Sequence, residues 1–255
     1  GGEKYETTGH SFVAQANYAT ALGRESTRVV SCNTTATVRV LGALQSAGIL
    51  KRARGTLLRR ATDPWESHLG GIMNTIVPEE DIPSHQGPDA KTVLPDLDVV
   101  TMACKVPETL GHVHYWWVEL TRDATSDEVL DIFRKTPRLV MLRASDGLGT
   151  PNAIKEMLGD FRRPRGDLWE VALWEDILTV QETELFLCTF VDNQAIVIPE
   201  TIDAIRALTE LEPTAEASMA KTDRSLTDMA GGPTAIFKRD MKHGECCPPG
   251  EEKKV

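Results

Sequence analysis

The run Val29-Val30-Ser31-Cys32-Asn33-Thr34-Thr35 limits the folds open to this chain more than any other segment. The valine pair is an apolar β-type run, and Val38, Leu41, Leu44 and Ala47 follow at helical spacing, so residues 31–35 turn a strand into a long amphipathic helix. A cysteine on such a turn meets the partial positive charge of the helix N-terminus and its unpaired peptide N–H groups, which favour thiolate over thiol. Cys32 is therefore a candidate nucleophile. The position also suits a small buried apolar residue, with Asn33 and Thr34 serving only as helix caps.

At 255 residues, 41% hydrophobic and 26% charged, the chain can bury the core of one large domain or two small ones. No apolar run reaches membrane-spanning length, and the polar start Gly1-Gly2-Glu3-Lys4 has no signal-peptide character, so a cytoplasmic location is expected. Cys32, Cys104, Cys188, Cys246 and Cys247 show no C-x-x-C spacing; free thiols are expected, without a disulfide framework or a metal site. A net charge of −10 argues against nucleic acid or an anionic membrane as partner. Against it stand Lys51, Arg52, Arg54, Arg59 and Arg60, around the strand-like run Thr56-Leu57-Leu58. Such a strand would carry some of these cations to the start of the Cys32 helix. Arginine's planar fork suits phosphate and carboxylate oxygens, which suggests a small anionic substrate, although a solvated charged strand would read the same way.

The patterning predicts an α+β fold, a mixed or antiparallel sheet with helices on one face. Strands are expected around residues 11–14 and over 97–105, 112–120, 138–143, 168–173, 177–180 and 184–191. The last reaches the turn pair Asp192-Asn193 and a further strand-like run over 195–198. Helices are expected over 18–22, 126–135 with Ser126 as N-cap, 151–158 with Pro151 at the first position and Gly159 at the end, 200–211 and 214–225. Residues 63–95 are irregular and rich in Pro and Gly, where binding loops tend to lie. From Ala230 the apolar periodicity is lost, so residues 230–255 are expected to be a disordered tail. Its His243, Cys246 and Cys247 are too few for a tetrahedral metal site.

Two histidine sites could complete the chemistry. His112 and His114 share a face of their strand, where an imidazole beside a thiol can accept its proton or stabilise its thiolate; a hydrogen-bonded core histidine is the other reading. His85, in Ser84-His85-Gln86-Gly87-Pro88-Asp89, lies in a loop with Gly-Pro turn chemistry and could donate to a phosphate or hold the turn.

Together these segments resemble the catalytic domain of the archaeal-type (type II) phosphorylating glyceraldehyde-3-phosphate dehydrogenases. The resemblance runs through Gly1-Gly2-Glu3-Lys4, Ser11-Phe12-Val13-Ala14-Gln15-Ala16-Asn17-Tyr18, the Cys32 turn, Arg59-Arg60-Ala61 with Asp63-Pro64, Gly87-Pro88-Asp89 and Val106-Pro107. It continues through His112-Val113-His114, Pro199-Glu200, Ala217-Ser218-Met219 and Lys221-Thr222-Asp223-Arg224-Ser225-Leu226. It implies that Cys32 attacks the aldehyde of glyceraldehyde 3-phosphate and, after hydride transfer to NAD or NADP, leaves as inorganic phosphate takes the acyl group, giving 1,3-bisphosphoglycerate. His112 matches the family's base and Arg59 and Arg60 its phosphate-binding pair, with Thr34, Thr35 and His85 as further substrate or phosphate contacts. A homotetramer is implied as well.

The sequence departs from the family at Ala36, where Gly is usual, at Gln86, where a second His is common, and at Thr201, where Asn is common and a part in cofactor handling is implied. The family's nucleotide-binding domain is expected to precede the Gly-Gly-Glu-Lys segment, so residues 1–229 read as the catalytic domain with the nucleotide-binding domain absent. Asp146-Gly147-Leu148-Gly149 has Asn152 at the third glycine position and Pro151 intruding, which disqualifies it as a dinucleotide fingerprint. Two other readings stay open: a catalytically silent subunit acting only in assembly, and another thiol-dependent aldehyde or semialdehyde dehydrogenase.

Overall fold

The computed structural model describes residues 4–61 and 75–229. The strands are β1 (Ser11–Phe12), β2 (Arg28–Val29), β3 (Leu50–Arg60), β4 (Val77–Pro78), β5 (Val99–Val106), β6 (His112–Leu120), β7 (Leu139–Leu142), β8 (Val171–Trp174), β9 (Thr179–Gln181) and β10 (Glu184–Val191). The helices are α1 (Tyr5–Thr8), α2 (Ala14–Ala21), α3 (Cys32–Ser46), α4 (Gln86–Lys91), α5 (Ser126–Lys135), α6 (Pro151–Asp160), α7 (Val197–Leu208) and α8 (Ala215–Met229). Among the described residues, eight strands form one mixed sheet in the order β4-β5-β3-β6-β10-β8-β7, with β9 against β10. β3 runs parallel to β5 and β7 to β8, while β3–β6 and β6–β10 are antiparallel. This is the expected α+β class with a mixed sheet.

Alternation sorts the sheet's two faces. Ala53 and Leu57 of β3, His112, His114, Trp116 and Val118 of β6, and Leu185 and Leu187 of β10 are buried. The apolar members of this set join Val38, Leu41 and Leu44 of α3 in one core. Each fully buried leucine of α3 contributes about 1.5–3 kcal/mol of transfer free energy, which seats the helix and so the residue at its start. Gly55 faces Trp116, and a Cβ there would lie 2.4 Å from the indole, so only glycine lets the ring lie over β3.

Helices cover both faces rather than the single face expected. β7 and β8 are apolar on both sides, so Ile154 and Leu158 of α6 pack with Val140, Leu142, Ala172 and Phe190 opposite the α3 side. Residues 195–198 do not form a strand. Asp192 Oδ1 accepts from Gln194 N–H at 3.1 Å and the Asp192 carbonyl from Ile196 N–H at 3.0 Å, which turns the chain out of the ladder and into α7. The strand near residue 11 is only two residues long, and α2 starts at Ala14. Gly87-Pro88 lies inside α4 instead of a turn, since a proline in a first turn forfeits only an N–H that has no helical partner. Thr125, not Ser126, caps α5 by accepting from Glu128 N–H at 3.1 Å, while Ser126 accepts from Val180 N–H. Residues 1–3, Asp63-Pro64 with the rest of 62–74, and 230–255 with His243, Cys246 and Cys247 lie outside the described residues.

Candidate active site

The residue that opens α3 is held from several directions. Ser31 is its N-cap, with Oγ accepting from Thr34 N–H at 3.3 Å. Thr34 Oγ1 donates to Asp89 Oδ2 at 2.9 Å, and the other Asp89 oxygen pairs with Arg28, which also donates from Nε to Ser11 Oγ at 2.8 Å. Thr35 Oγ1 donates to Val30 O at 3.4 Å. Thr34 and Thr35 are thus fully buried with hydroxyls committed to the fold. β1, α4 and the strand end at Val30 clamp the helix start and with it Cys32.

His112 opens β6 with Nε2 3.3 Å from Cys32 Sγ, and its Nδ1 accepts the main-chain N–H of Arg60 at 2.9 Å. The preceding Gly111 packs so closely that a Cβ would lie 2.5 Å from the Phe190 ring and from Val191 O, which fixes the entry of His112 into the strand. His114 lies one pleat further, its ring stacked 6.5 Å from that of His112 and its Nε2 2.8 Å from Asn33 Oδ1. Burial pushes the His114 pKa down to about 3. Burial, then His114, Arg59 and Arg60, hold His112 well below the ordinary histidine value, so both imidazoles are neutral near pH 7.

The sequence leads to the expectation of a depressed thiol pKa at this helix start, but burial raises that of Cys32 overall. The peptide groups of Asn33 and Cys32 and the guanidinium groups of Arg59 and Arg60 oppose burial without cancelling it. Arg59 and Arg60 end β3 beside the thiol. Lys51 and Arg52 pair with Glu119, and Arg54 with Asp98, toward the other end of the strand. Arg59 is ion-paired with Glu79, while its Nε is buried without a hydrogen-bond partner among the described residues. Arg60 Nη1 donates to Thr109 O at 3.1 Å, and Asn193, with its amide oxygen facing the guanidinium, accepts from Nε at 2.9 Å. His85 stands at the N-terminal cap position of α4, its pKa lowered by burial and by Arg59 and raised in part by Asp89.

Cys32, His112, Arg59, Arg60 and His85 therefore gather in one place. Thr201 does not join them by any hydrogen bond found among the described residues; it is exposed on α7 with its hydroxyl bonded to Val197 O at 2.9 Å. Glu79 and Asn193 carry no signal in the sequence that marks them as site residues, and Asp89 is visible only as part of Gly87-Pro88-Asp89. Asp192-Asn193 gave a turn signal that says nothing of Arg60. Cys32, Cys104 and Cys188 are free thiols, and no group of three or more His, Cys, Asp or Glu among the described residues is arranged to hold a metal ion. Just before Asp146-Gly147-Leu148-Gly149, the peptide N–H groups of Ala144 and Ser145 donate to the Asp176 carboxylate, each at 3.0 Å.

A half-buried thiol beside a neutral imidazole, at a helix start flanked by two arginines, is an arrangement that can support thiol chemistry on an anionic group. Residues 31–159 match the family described as glyceraldehyde 3-phosphate dehydrogenase, C-terminal domain, and the chain belongs to that family. It is 46% identical over 227 residues to the glyceraldehyde-3-phosphate dehydrogenase of Methanopyrus kandleri, covering 89% of this chain and 65% of that protein. It is 42% identical over 227 residues to that of Methanobrevibacter smithii, covering 89% and 67%. The match to that of Haloarcula marismortui is 40% over 226 residues, covering 89% and 64%. The chain thus spans about two thirds of the length of these relatives. Among the described residues, no helix is long and apolar enough to cross a membrane.

Proposed function

We propose that this chain carries the thiol chemistry of a phosphorylating glyceraldehyde-3-phosphate dehydrogenase, a cytoplasmic enzyme of the glycolytic and gluconeogenic triose step. The observation that carries this reading is the 3.3 Å contact of Cys32 Sγ with His112 Nε2 at the start of α3, beside Arg59 and Arg60. The Cys32 thiolate adds to the aldehyde carbon of glyceraldehyde 3-phosphate, forming a C–S bond as the carbonyl π pair moves to oxygen. Loss of hydride from that carbon leaves a thioester. Inorganic phosphate then attacks the thioester carbonyl, the C–S bond breaks, and Cys32 leaves as thiolate with 1,3-bisphosphoglycerate as product. The hydride acceptor is NAD or NADP, held outside the residues described. Arg59, with a buried Nε available, His85 and Arg60 supply positive charge and N–H donors to the substrate phosphate and the attacking phosphate. Thr34 and Thr35 serve that site indirectly, by fixing the helix start.

The acyl half of this reaction runs backward without a nucleotide, which gives the test. Incubated with 1,3-bisphosphoglycerate, the chain is expected to gain a 3-phosphoglyceryl group on Cys32 alone among its cysteines, read by mass spectrometry. Hydroxylamine and inorganic phosphate should remove it, and Arg59→Ala should slow its formation by at least tenfold. A folded chain whose Cys32 is alkylated by iodoacetamide but never acylated would refute the reading and favour the silent assembly subunit.

A further inference from the structure

We propose that Glu79 is a built-in counter-anion of this site: its carboxylate occupies the guanidinium of Arg59 in the resting chain, and an anion gains Arg59 only by displacing it. Glu79 thereby sets how tightly the site holds anions and how far it prefers them to uncharged ligands. Its place in the reaction rests on the proposed role of Arg59 toward phosphate; the ion pair itself does not.

The sheet brings the two side chains together. β4 pairs antiparallel with β5, Val77 opposite Lys105 and Pro78 opposite Cys104, and Glu79 N–H donates to Ala103 O at 2.9 Å, which carries the pairing one residue further. β5 runs parallel to β3, with Ala103 opposite Leu57 and Lys105 opposite Arg59. Side chains alternate along a strand, so Glu79, Ala103, Leu57 and Arg59 share one face, and Ala103 and Leu57 join α3 in the core on that face. Ala103 is the residue of β5 between Glu79 and β3, and its single methyl leaves room for the carboxylate to reach the guanidinium.

This pair differs from the ion pairs that hold the fold. Arg39 and Glu200 are closed from solvent on both sides, whereas the side chains of Arg59 and Glu79 are 26% and 21% exposed, so water and small anions reach their contact. A partly exposed pair contributes little to stability and can be exchanged for another. Arg59 also stands where its charge acts on Cys32, and among the described residues Glu79 is the one carboxylate paired with it. Phosphate oxygens fit the same fork of N–H donors that the carboxylate uses, so the two compete for one guanidinium. Any anion that binds through Arg59 therefore has its affinity reduced by the fraction of chains in which Glu79 holds the fork, and by the same factor for a carboxylate as for a phosphate. The exchange also eases release: as an anion departs, Glu79 replaces it, and Arg59 is not left as a bare, partly buried cation.

Cys32 itself reports the exchange. Iodoacetate and iodoacetamide alkylate the same thiol with an anionic and a neutral reagent, so the ratio of their rates at Cys32, read by mass spectrometry on the whole chain, cancels any change in thiol ionisation. Glu79→Gln, close in size to the native side chain, should raise the iodoacetate-to-iodoacetamide ratio about fivefold. It should lower by a similar factor the concentration of inorganic phosphate that halves the iodoacetate rate. The gain should vanish when Arg59 is also replaced by Ala, and Glu80→Gln, which removes the same charge from an exposed neighbour, should leave the ratio as it is. An unchanged ratio in Glu79→Gln, or an equal gain in Glu80→Gln or in the Arg59→Ala background, would overturn the proposal. Alkylation needs no substrate of the reaction, so failure of Cys32 acylation with the Glu79→Gln gain intact would sink the proposed function and leave the counter-anion standing.

Discussion

Burial holds the Cys32 thiol above its ordinary range while the peptide groups at the start of α3, Arg59 and Arg60 pull the other way. A sequence shows only the second group of effects, since a helix N-terminus is legible in Ser31-Cys32-Asn33 and the depth of Cys32 in the fold is not. The neighbouring histidines carry a pH dependence whose sign is fixed. His114 folds with its pKa near 3 and would titrate near 6.5 in the unfolded chain, and His112 is also depressed. The unfolded state therefore binds more protons, so the stability these residues contribute is present above about pH 6.5 and declines as pH falls toward their folded values, by about 1.4 kcal/mol per pH unit for each histidine. Urea denaturation at pH 7, 6 and 5 should show this decline. Replacing His114 with Gln should make the slope shallower by about one proton's worth; an unchanged slope would mean that His114 is charged in the fold.

Among the elements, α3 is the one on which the site depends, and a buried charge network pins its middle. Arg39 is fully buried and donates to Glu200 of α7 at 2.6 Å, while Arg138 reaches Glu200 at 3.4 Å, Asp203 at 2.7 Å and Asp223 of α8 at 2.9 Å. The second Glu200 oxygen accepts from Ala14 N–H at 2.7 Å, so one carboxylate joins α2, α3 and α7. Glu200→Ala strands buried Arg39 and should cost about 3–5 kcal/mol in urea denaturation, whereas Glu200→Gln, which keeps one oxygen to accept from Arg39 but sets its NH2 against Ala14 N–H, should cost less. Equal losses would mean that the site tolerates an unpaired Arg39. Elements of this kind were legible where period and caps agree: residues 112–120, 126–135 and 184–191 emerge with the expected bounds. They were not legible where a side chain captured the backbone, as Asp192 does at the start of α7. Arg59, Arg60 and His112 could be read because each lies in a segment with its own signal. Asn193 could not, since it reaches Arg60 only after β10 has set its register against β6, with Val191 opposite His112.

For the whole molecule, the sheet face turned away from α3 is only partly covered. Met102, Thr56 and Tyr115 lie in one row across β5, β3 and β6, and Phe186 lies beside Trp117 on β10. Tyr115 is 51% exposed, Met102 48% and Phe186 37%, with Ile82 and Ile177 exposed beside them at the same open groove. Exposed apolar residues grouped on one sheet face can serve as a contact, and such a face can meet its own copy about a twofold axis with each residue facing the same patch of its partner. The expected outcome is a homo-oligomer, a tetramer if a second interface adds to the first, seen by sedimentation velocity at micromolar concentration. Tyr115→Glu with Phe186→Glu should shift the chain to smaller species by burying charge at the centre of the contact. Cys32 acylation should persist, because the thiol belongs to the opposite face of the sheet. A wild-type chain that sediments as a monomer would refute self-association through this face, and loss of acylation in the double variant would show that the site depends on the contact.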